Sequence, residues 1–183
     1  MKRFFSLTLV ATALVLMSCA ISSNQDSGPE QSLQLTLRFE KDSYHVGETV
    51  IAKIKLENIG SKPFIINSRL SVNLPPIPSP IREIAFNITT PTGETYLPDV
   101  IIDPGPLYNT YFIELKPGES YEDDIYLGSY SYEFTEIGTY LVVANYQNTL
   151  DPQDAIVPQG AEDNRIAWKG ELNSNQVQLI IIP

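Results

Sequence analysis

Four groups of side chains in this sequence are of types that carry chemistry: the single cysteine Cys19, the single histidine His45, several close-set carboxylates, and ten tyrosines with one tryptophan. A nucleophilic centre needs a base within hydrogen-bond reach of the nucleophile and a third group to orient that base. His45, the only imidazole, lies in the turn "HVGE" (45–48), and the nucleophile-elbow pattern G-x-S-x-G does not occur. His45 therefore reads as a solvent-facing turn residue. Paired carboxylates can hydrolyse glycosides when they flank a sugar at about 5–10 Å. The stretch "EDD" (122–124) supplies Asp123 and Asp124, but neighbours on a strand leave opposite faces. That pair reads better as a solvated edge, or as one buried, hydrogen-bonded Asp.

A second acidic group is "DPQD" (151–154) with "AEDN" (161–164), which sets Asp151, Asp154, Glu162 and Asp163 on one long segment. Hard oxygen ligands of this kind can hold Ca²⁺, yet the spacing departs from the D-x-[DN]-x-[DN]-G calcium loop. No His/Cys cluster suggests zinc. The expectation is a solvated loop, with no metal and no cofactor. Just beyond it stands Trp168 in "RIAWKGEL" (165–172). Tryptophan and tyrosine offer rigid, amphipathic contact area, although tyrosine is also an ordinary strand residue. Tyr126, Tyr130 and Tyr132 in "YLGSYSYEF" are read that way. The expected partner-binding set is Trp168, Asp151, Asp154, Glu162 and Asp163.

The elements that position these groups begin with a leader. Lys2 and Arg3 precede an apolar run from Phe4 to Met17, within the roughly 7–15 residues of a signal-peptide core and short of the roughly 20 that span a membrane. Its last residues, Leu16-Met17-Ser18-Cys19, resemble the lipobox of bacterial lipoproteins. The resemblance implies diacylglyceryl transfer to the Cys19 sulfur, cleavage after Ser18 by signal peptidase II, and anchoring of the protein through the acylated N-terminus. It places the protein in the cell envelope: at the outer membrane in a Gram-negative cell, since Ala20 rather than aspartate follows the cysteine, or on the extracytoplasmic face of the plasma membrane in a Gram-positive one. The division of the chain is then 1–18 signal peptide, 19–31 flexible tether, 32–183 folded domain. The tether assignment rests on "AISSNQDSGPEQS", which has little to bury. With no second cysteine there is no disulfide.

Loss of Lys2 and Arg3 would leave 10 basic against 22 acidic residues, a net charge of −12. Nucleic-acid affinity rests on Lys and Arg neutralising phosphates, so that partner class is excluded, and membrane contact falls to the lipid rather than to a basic face.

Beyond residue 31 the periodicity is two. Leu33, Leu35, Leu37 and Phe39 alternate with polar neighbours, as do Val50, Ala52, Ile54 and Leu56. Further strands are expected over 63–67, 83–89, 111–115, 121–127, 139–146 and 176–182. No window shows a helical period, and 14 prolines and 10 glycines punctuate the runs. "HVGE" (45–48) and "KPGE" (116–119) place Gly where a type II turn needs positive φ, and "PTGE" (91–94) reads as a hairpin tip. The class is all-β.

The segment "EIGTYLV" (136–142) resembles the opening of the F strand in immunoglobulin-like domains, with Tyr140 at the tyrosine-corner position and Val142 where the second cysteine would stand. "SYHVGETVIAKIKLENIGSKPFII", "FNITTPTGETY", "LKPGESYEDDIYL" and "SNQVQLIII" resemble, in order, the A-to-C region, a following hairpin, the E strand and the final strand of bacterial modules of this type. Order and spacing are most similar to the BsuPI-type proteinase-inhibitor family and related extracellular domains. The resemblance implies a single-domain, immunoglobulin-like antiparallel β-sandwich. Such sandwiches host unrelated functions, and no inhibitory-loop motif carries over.

The expected function is a lipid-anchored binding module of the cell envelope, without catalytic activity, whose partner is a protein or glycan at the cell surface. The alternatives are a proteinase inhibitor presenting the Pro-rich stretch "NLPPIPSPI" (73–81), and an envelope hydrolase using paired carboxylates.

Overall fold

A computed structural model describes residues 33–73, 82–96, 105–157 and 162–183. Cys19, the leader, the tether and nearly all of the Pro-rich stretch lie outside the described residues. Among those described there is no α-helix, and no helix is long and apolar enough to cross a membrane. The strands are β1 (Leu33–Phe39), β2 (Ser43–His45), β3 (Ile51–Asn58), β4 (Phe64–Asn67), β5 (Val72–Asn73), β6 (Ile84–Thr89), β7 (Phe112–Leu115), β8 (Ser120–Tyr126), β9 (Gly138–Asn148), β10 (Gly170–Asn173) and β11 (Val177–Ile182). The expected strands are all present within a residue or two. Three were not expected, and they are short: β2, β5 and β10, the last of which, "GELN", has one apolar residue to reveal it.

The strands form an all-β sandwich. One sheet has the order β1-β3-β8, all antiparallel; the other runs β2-β11-β9-β6-β5, with β10 paired to the far end of β9. Alternation explains the layering, because each strand sends every second side chain inward. From the first sheet come Leu35, Ile54 and Leu56, and from the second Phe86, Ile88, Val142 and Leu179, all buried in one core. Pairing of β2 in parallel with β11, and of β6 and β11 on either side of β9, gives the arrangement of an immunoglobulin-like domain. β4, which follows β3 in the chain, does not join β9; it pairs with β7, and β6 takes the place beside β9.

Local chemistry fixes the corners. The Tyr140 hydroxyl donates to the Glu136 carbonyl and accepts from the Glu136 N–H, both at 3.2 Å, so the tyrosine corner is formed. Val142 is fully buried, whereas Thr139 is exposed. The two G-E turns share one device. Gly47 and Gly118 have φ of 78° and 79°, and the glutamate that follows each accepts the first turn residue's N–H on its carboxylate, His45 to Glu48 and Lys116 to Glu119, both at 2.9 Å. At the hairpin tip, Tyr96 N–H donates to the Ile88 carbonyl at 2.8 Å.

In a chain without disulfides, one buried polar network ties the sheets' edge together. The Glu83 carboxylate accepts from Arg69 Nη2 at 2.7 Å, Asn67 Nδ2 at 3.0 Å and Ser71 N–H at 2.9 Å. The Tyr146 hydroxyl in turn donates to the Asn67 carbonyl at 2.9 Å. Within the same segment Leu70 is buried in a left-handed conformation, φ 48°. A branched side chain pays roughly 1–2 kcal/mol for that backbone, and such strain persists where the surroundings over-determine it.

Candidate functional site

The segment that follows β9 has structure of its own. A 3-10 turn, Pro152–Asp154, starts at Asp151, and the Asp154 carboxylate accepts the Asp151 N–H at 2.8 Å. The Asp151 side chain is buried and turns back into the fold, where it accepts from Ala167 N–H at 2.9 Å and from Lys169 Nζ at 2.6 Å. Burial pushes its carboxyl up, but the Lys169 ammonium and the Ala167 N–H more than offset this and hold it below the usual range. Asp163 lies further along. Its carboxylate takes Arg165 Nε at 2.8 Å, Arg165 Nη2 at 2.6 Å and Asn109 Nδ2 at 3.0 Å, and the guanidinium keeps it well below the usual carboxylate range. Arg165 also donates from Nη1 to the Phe112 carbonyl at 2.9 Å, which fastens this return segment to β7.

The five expected binding residues therefore lie at one end of the sandwich but do different things. Asp151, Asp154 and Asp163 are engaged in bracing; Glu162 is exposed. Trp168 is half buried, its ring stacked on Tyr146 at 5.8 Å and packed so closely over Gly170 that a Cβ there would lie 2.9 Å from it. The Trp168 backbone N–H donates to the Ile65 carbonyl at 2.7 Å. Ile65 on β4 also forms an isolated parallel bridge with Ala167. Because these bonds tie the segment to β4 and β7, replacing it by a tight turn would remove buried partners. The sequence reading of a solvated loop is corrected at Asp151 and Asp163, whose carboxylates are held by the protein's own Lys169 and Arg165.

What the end presents to solvent is a different set of side chains. Tyr108, Tyr111 and Ile156 are 38%, 37% and 53% exposed. Tyr108 caps, and Tyr111 ends, the 3-10 turn Asn109–Tyr111. Residues three apart eclipse in that geometry, and the two rings meet at 6.4 Å between centroids. Ile156 joins them through a parallel bridge: its N–H donates to the Leu107 carbonyl at 2.8 Å, and Asn109 N–H donates to the Ile156 carbonyl at 3.1 Å. The signal in the sequence was "YNTY" (108–111), two tyrosines around a polar pair. Its link to Ile156 was not local.

The other chemistry-bearing groups are dispersed. His45 is exposed in its turn. Asp123 is registered with Ile54 and Asp124 with Lys53, so the two carboxylates leave opposite faces of β8. Asp124 binds Lys53 Nζ at 2.7 and 2.9 Å, and Asp123 Oδ1 accepts the Asp124 N–H at 2.8 Å. Among the described residues no three His, Cys, Asp or Glu side chains cluster so as to hold a metal ion. Of the tyrosine group, Tyr126 is exposed, whereas Tyr132 is buried in the core between Tyr96 and Phe86. Burial pushes the Tyr132 hydroxyl far above its ordinary pKa.

No model of a known protein family matches the chain, and no curated protein matches it significantly.

Proposed function

We propose that this is a lipid-anchored binding module of the cell envelope that engages a protein partner through the end of the sandwich bearing Tyr108, Tyr111 and Ile156. The anchor reading is supported by the lipobox-like Leu16-Met17-Ser18-Cys19, and two or three acyl chains, at about 0.8 kcal/mol per buried CH₂, would make membrane residence effectively permanent. The observation that carries the binding reading is the pairing of an exposed aromatic and aliphatic cluster with a scaffold braced by internal ion pairs. Rigid tyrosines lose little side-chain entropy on contact, which is why such anchors dominate protein interfaces.

The test uses the full chain in its own membrane. A photo-crosslinking residue at position 108 should join one discrete protein, the same residue at position 126 on the far sheet should not, and Tyr111→Ala with Ile156→Ser should abolish the crosslink while leaving the protein folded. Equal crosslinking from 108 and 126, or none from 108, would remove this surface from consideration. Cys19→Ser should separately abolish labelling by a palmitate analogue and release the protein from the membrane or leave it uncleaved.

A further inference from the structure

The outer face of β6, β9 and β10 carries a group of side chains that the end surface does not use. Ala85 on β6 is registered against Asn145 on β9, and Asn145 in turn against Asn173 on β10. The alanine methyl leaves a hollow, and a shallow cleft of about 270 Å³ lies over it, walled by Arg82, Asn87, Asn145, Gln147, Glu171 and Asn173. Asn87, Glu171 and Asn173 are exposed and the other three half-buried. We propose that this cleft binds the ring of a neutral sugar.

Three features favour that class of ligand. A carboxamide carries two donors and an acceptor with two lone pairs; Asn145 spends both Nδ2 hydrogens on the walls, and the amides of Asn87 and Asn173, exposed beside it, suit neighbouring hydroxyls, which both donate and accept. The one guanidinium and the one carboxylate cancel, so the cleft selects neither an anion nor a cation, although the chain as a whole carries −10. At about 270 Å³ the cleft is just below the ~300–1,000 Å³ usual for drug-sized ligand sites, which suits one ring over the Ala85 floor.

The walls are positioned in advance. Asn145 Nδ2 donates to Glu171 Oε1 at 2.8 Å and to Asn173 Oδ1 at 3.2 Å, while Gln147 Nε2 donates to the Arg82 carbonyl at 3.0 Å. Arg82 itself donates from Nη1 to the Val72 carbonyl at 3.0 Å. Ordering that precedes binding is not lost on binding. Among the described residues no aromatic ring lines the cleft, so recognition rests on hydrogen bonds.

The experiment follows the side-chain amide NMR signals of the full-length chain, held in a zwitterionic detergent without sugar head groups. Glucose, galactose, mannose and N-acetylglucosamine are titrated separately, with inorganic phosphate and free lysine as charged probes. At least one sugar should shift the Asn87, Asn145 and Asn173 amides saturably, and Ala85→Leu, which fills the floor, should weaken it about tenfold or more. Asn87→Ala, at an exposed position, should do the same should Ala85→Leu fail to fold. Silence from all four sugars, equal or stronger shifts with phosphate or lysine, or a folded Ala85→Leu that binds unchanged would each overturn the proposal. Loss of the crosslink at position 108 has no bearing on this result, because the two sites share no residue.

Discussion

Two ion pairs in this molecule have the same length and opposite consequences. Arg69 Nη2 and Glu83 Oε1 are 2.7 Å apart, with side chains 6% and 3% exposed; Lys53 Nζ and Asp124 Oδ2 are also 2.7 Å apart, with side chains 21% and 43% exposed. The first is closed off from water and completed by Asn67 and Ser71, so no partner can leave without stranding a buried charge. The second sits on the outer face of the β1-β3-β8 sheet, where water and salt screen it. Cover, rather than distance, decides what such a pair holds together. Lys169–Asp151, at 2.6 Å with side chains 46% and 11% exposed, lies between the two and braces the proposed binding end.

The extreme of this comparison is a buried charge with no partner. Val142→Asp should cost about 4 kcal/mol or more and leave the domain unfolded, whereas Thr139→Asp, three residues earlier on an exposed position, should be tolerated; circular dichroism on both variants decides it. Equal tolerance would mean that the inner face of β9 is not the sealed face described above. Next, Glu83→Ala leaves Arg69 buried and should cost about 3–5 kcal/mol, read as a drop in the urea midpoint. The double replacement Arg69→Met with Glu83→Leu should recover part of that loss, since it removes the stranded charge rather than one half of the pair. No recovery would argue that the hydrogen bonds to Asn67 and Ser71, and not the charge, are what the site requires.

For the intermediate pair, Asp151→Asn keeps the shape but removes the charge-assisted bonds to Lys169 and Ala167, and should cost about 1–3 kcal/mol. The same carboxylate gives a pH signature. Its folded pKa is depressed, so its contribution is present above the unfolded value of roughly 4 and is lost as pH falls through the folded value. Asp163 acts in the same direction. Thermal midpoints measured from pH 6 downward should therefore fall more steeply for the parent chain than for Asp151→Asn. Smallest of all, Lys53→Met should move the thermal midpoint by less than about 2 °C. A larger loss would show the outer face to be better shielded than its exposure implies.

Much of the architecture was legible before any coordinates. The strand periods placed β1, β3, β6, β9 and β11, and "EIGTYLV" located both the Tyr140 corner and the inward Val142. Acidic residues in the 148–165 segment were visible too, but their duties were not. Nothing near Asp151 or Asp163 in the sequence says whether a carboxylate faces a partner or the protein's own Lys169 and Arg165. Trp168 was ambiguous for a related reason: an aromatic beside a loop can anchor a ligand or, as here, stack on Tyr146. Short strands such as β2 and β10 were hidden because three or four residues hold too little alternation to separate from a loop.

What the sequence determined alone was whatever depends on near neighbours. The two-residue period assigns each strand residue to a face, and glycine with positive φ followed by glutamate closes a turn, because both are settled within a few bonds of backbone. Only the tertiary structure decided the pairings between distant segments: Asn67 with Glu83 and Tyr146, β4 with β7, Ile156 with the two tyrosines of the 3-10 turn, and Asn87, Asn145 and Asn173 around one cleft. Those contacts come from strand order and register. Any strand with a suitable apolar face can satisfy the local pattern, and the choice among them is made by the packing of the whole core.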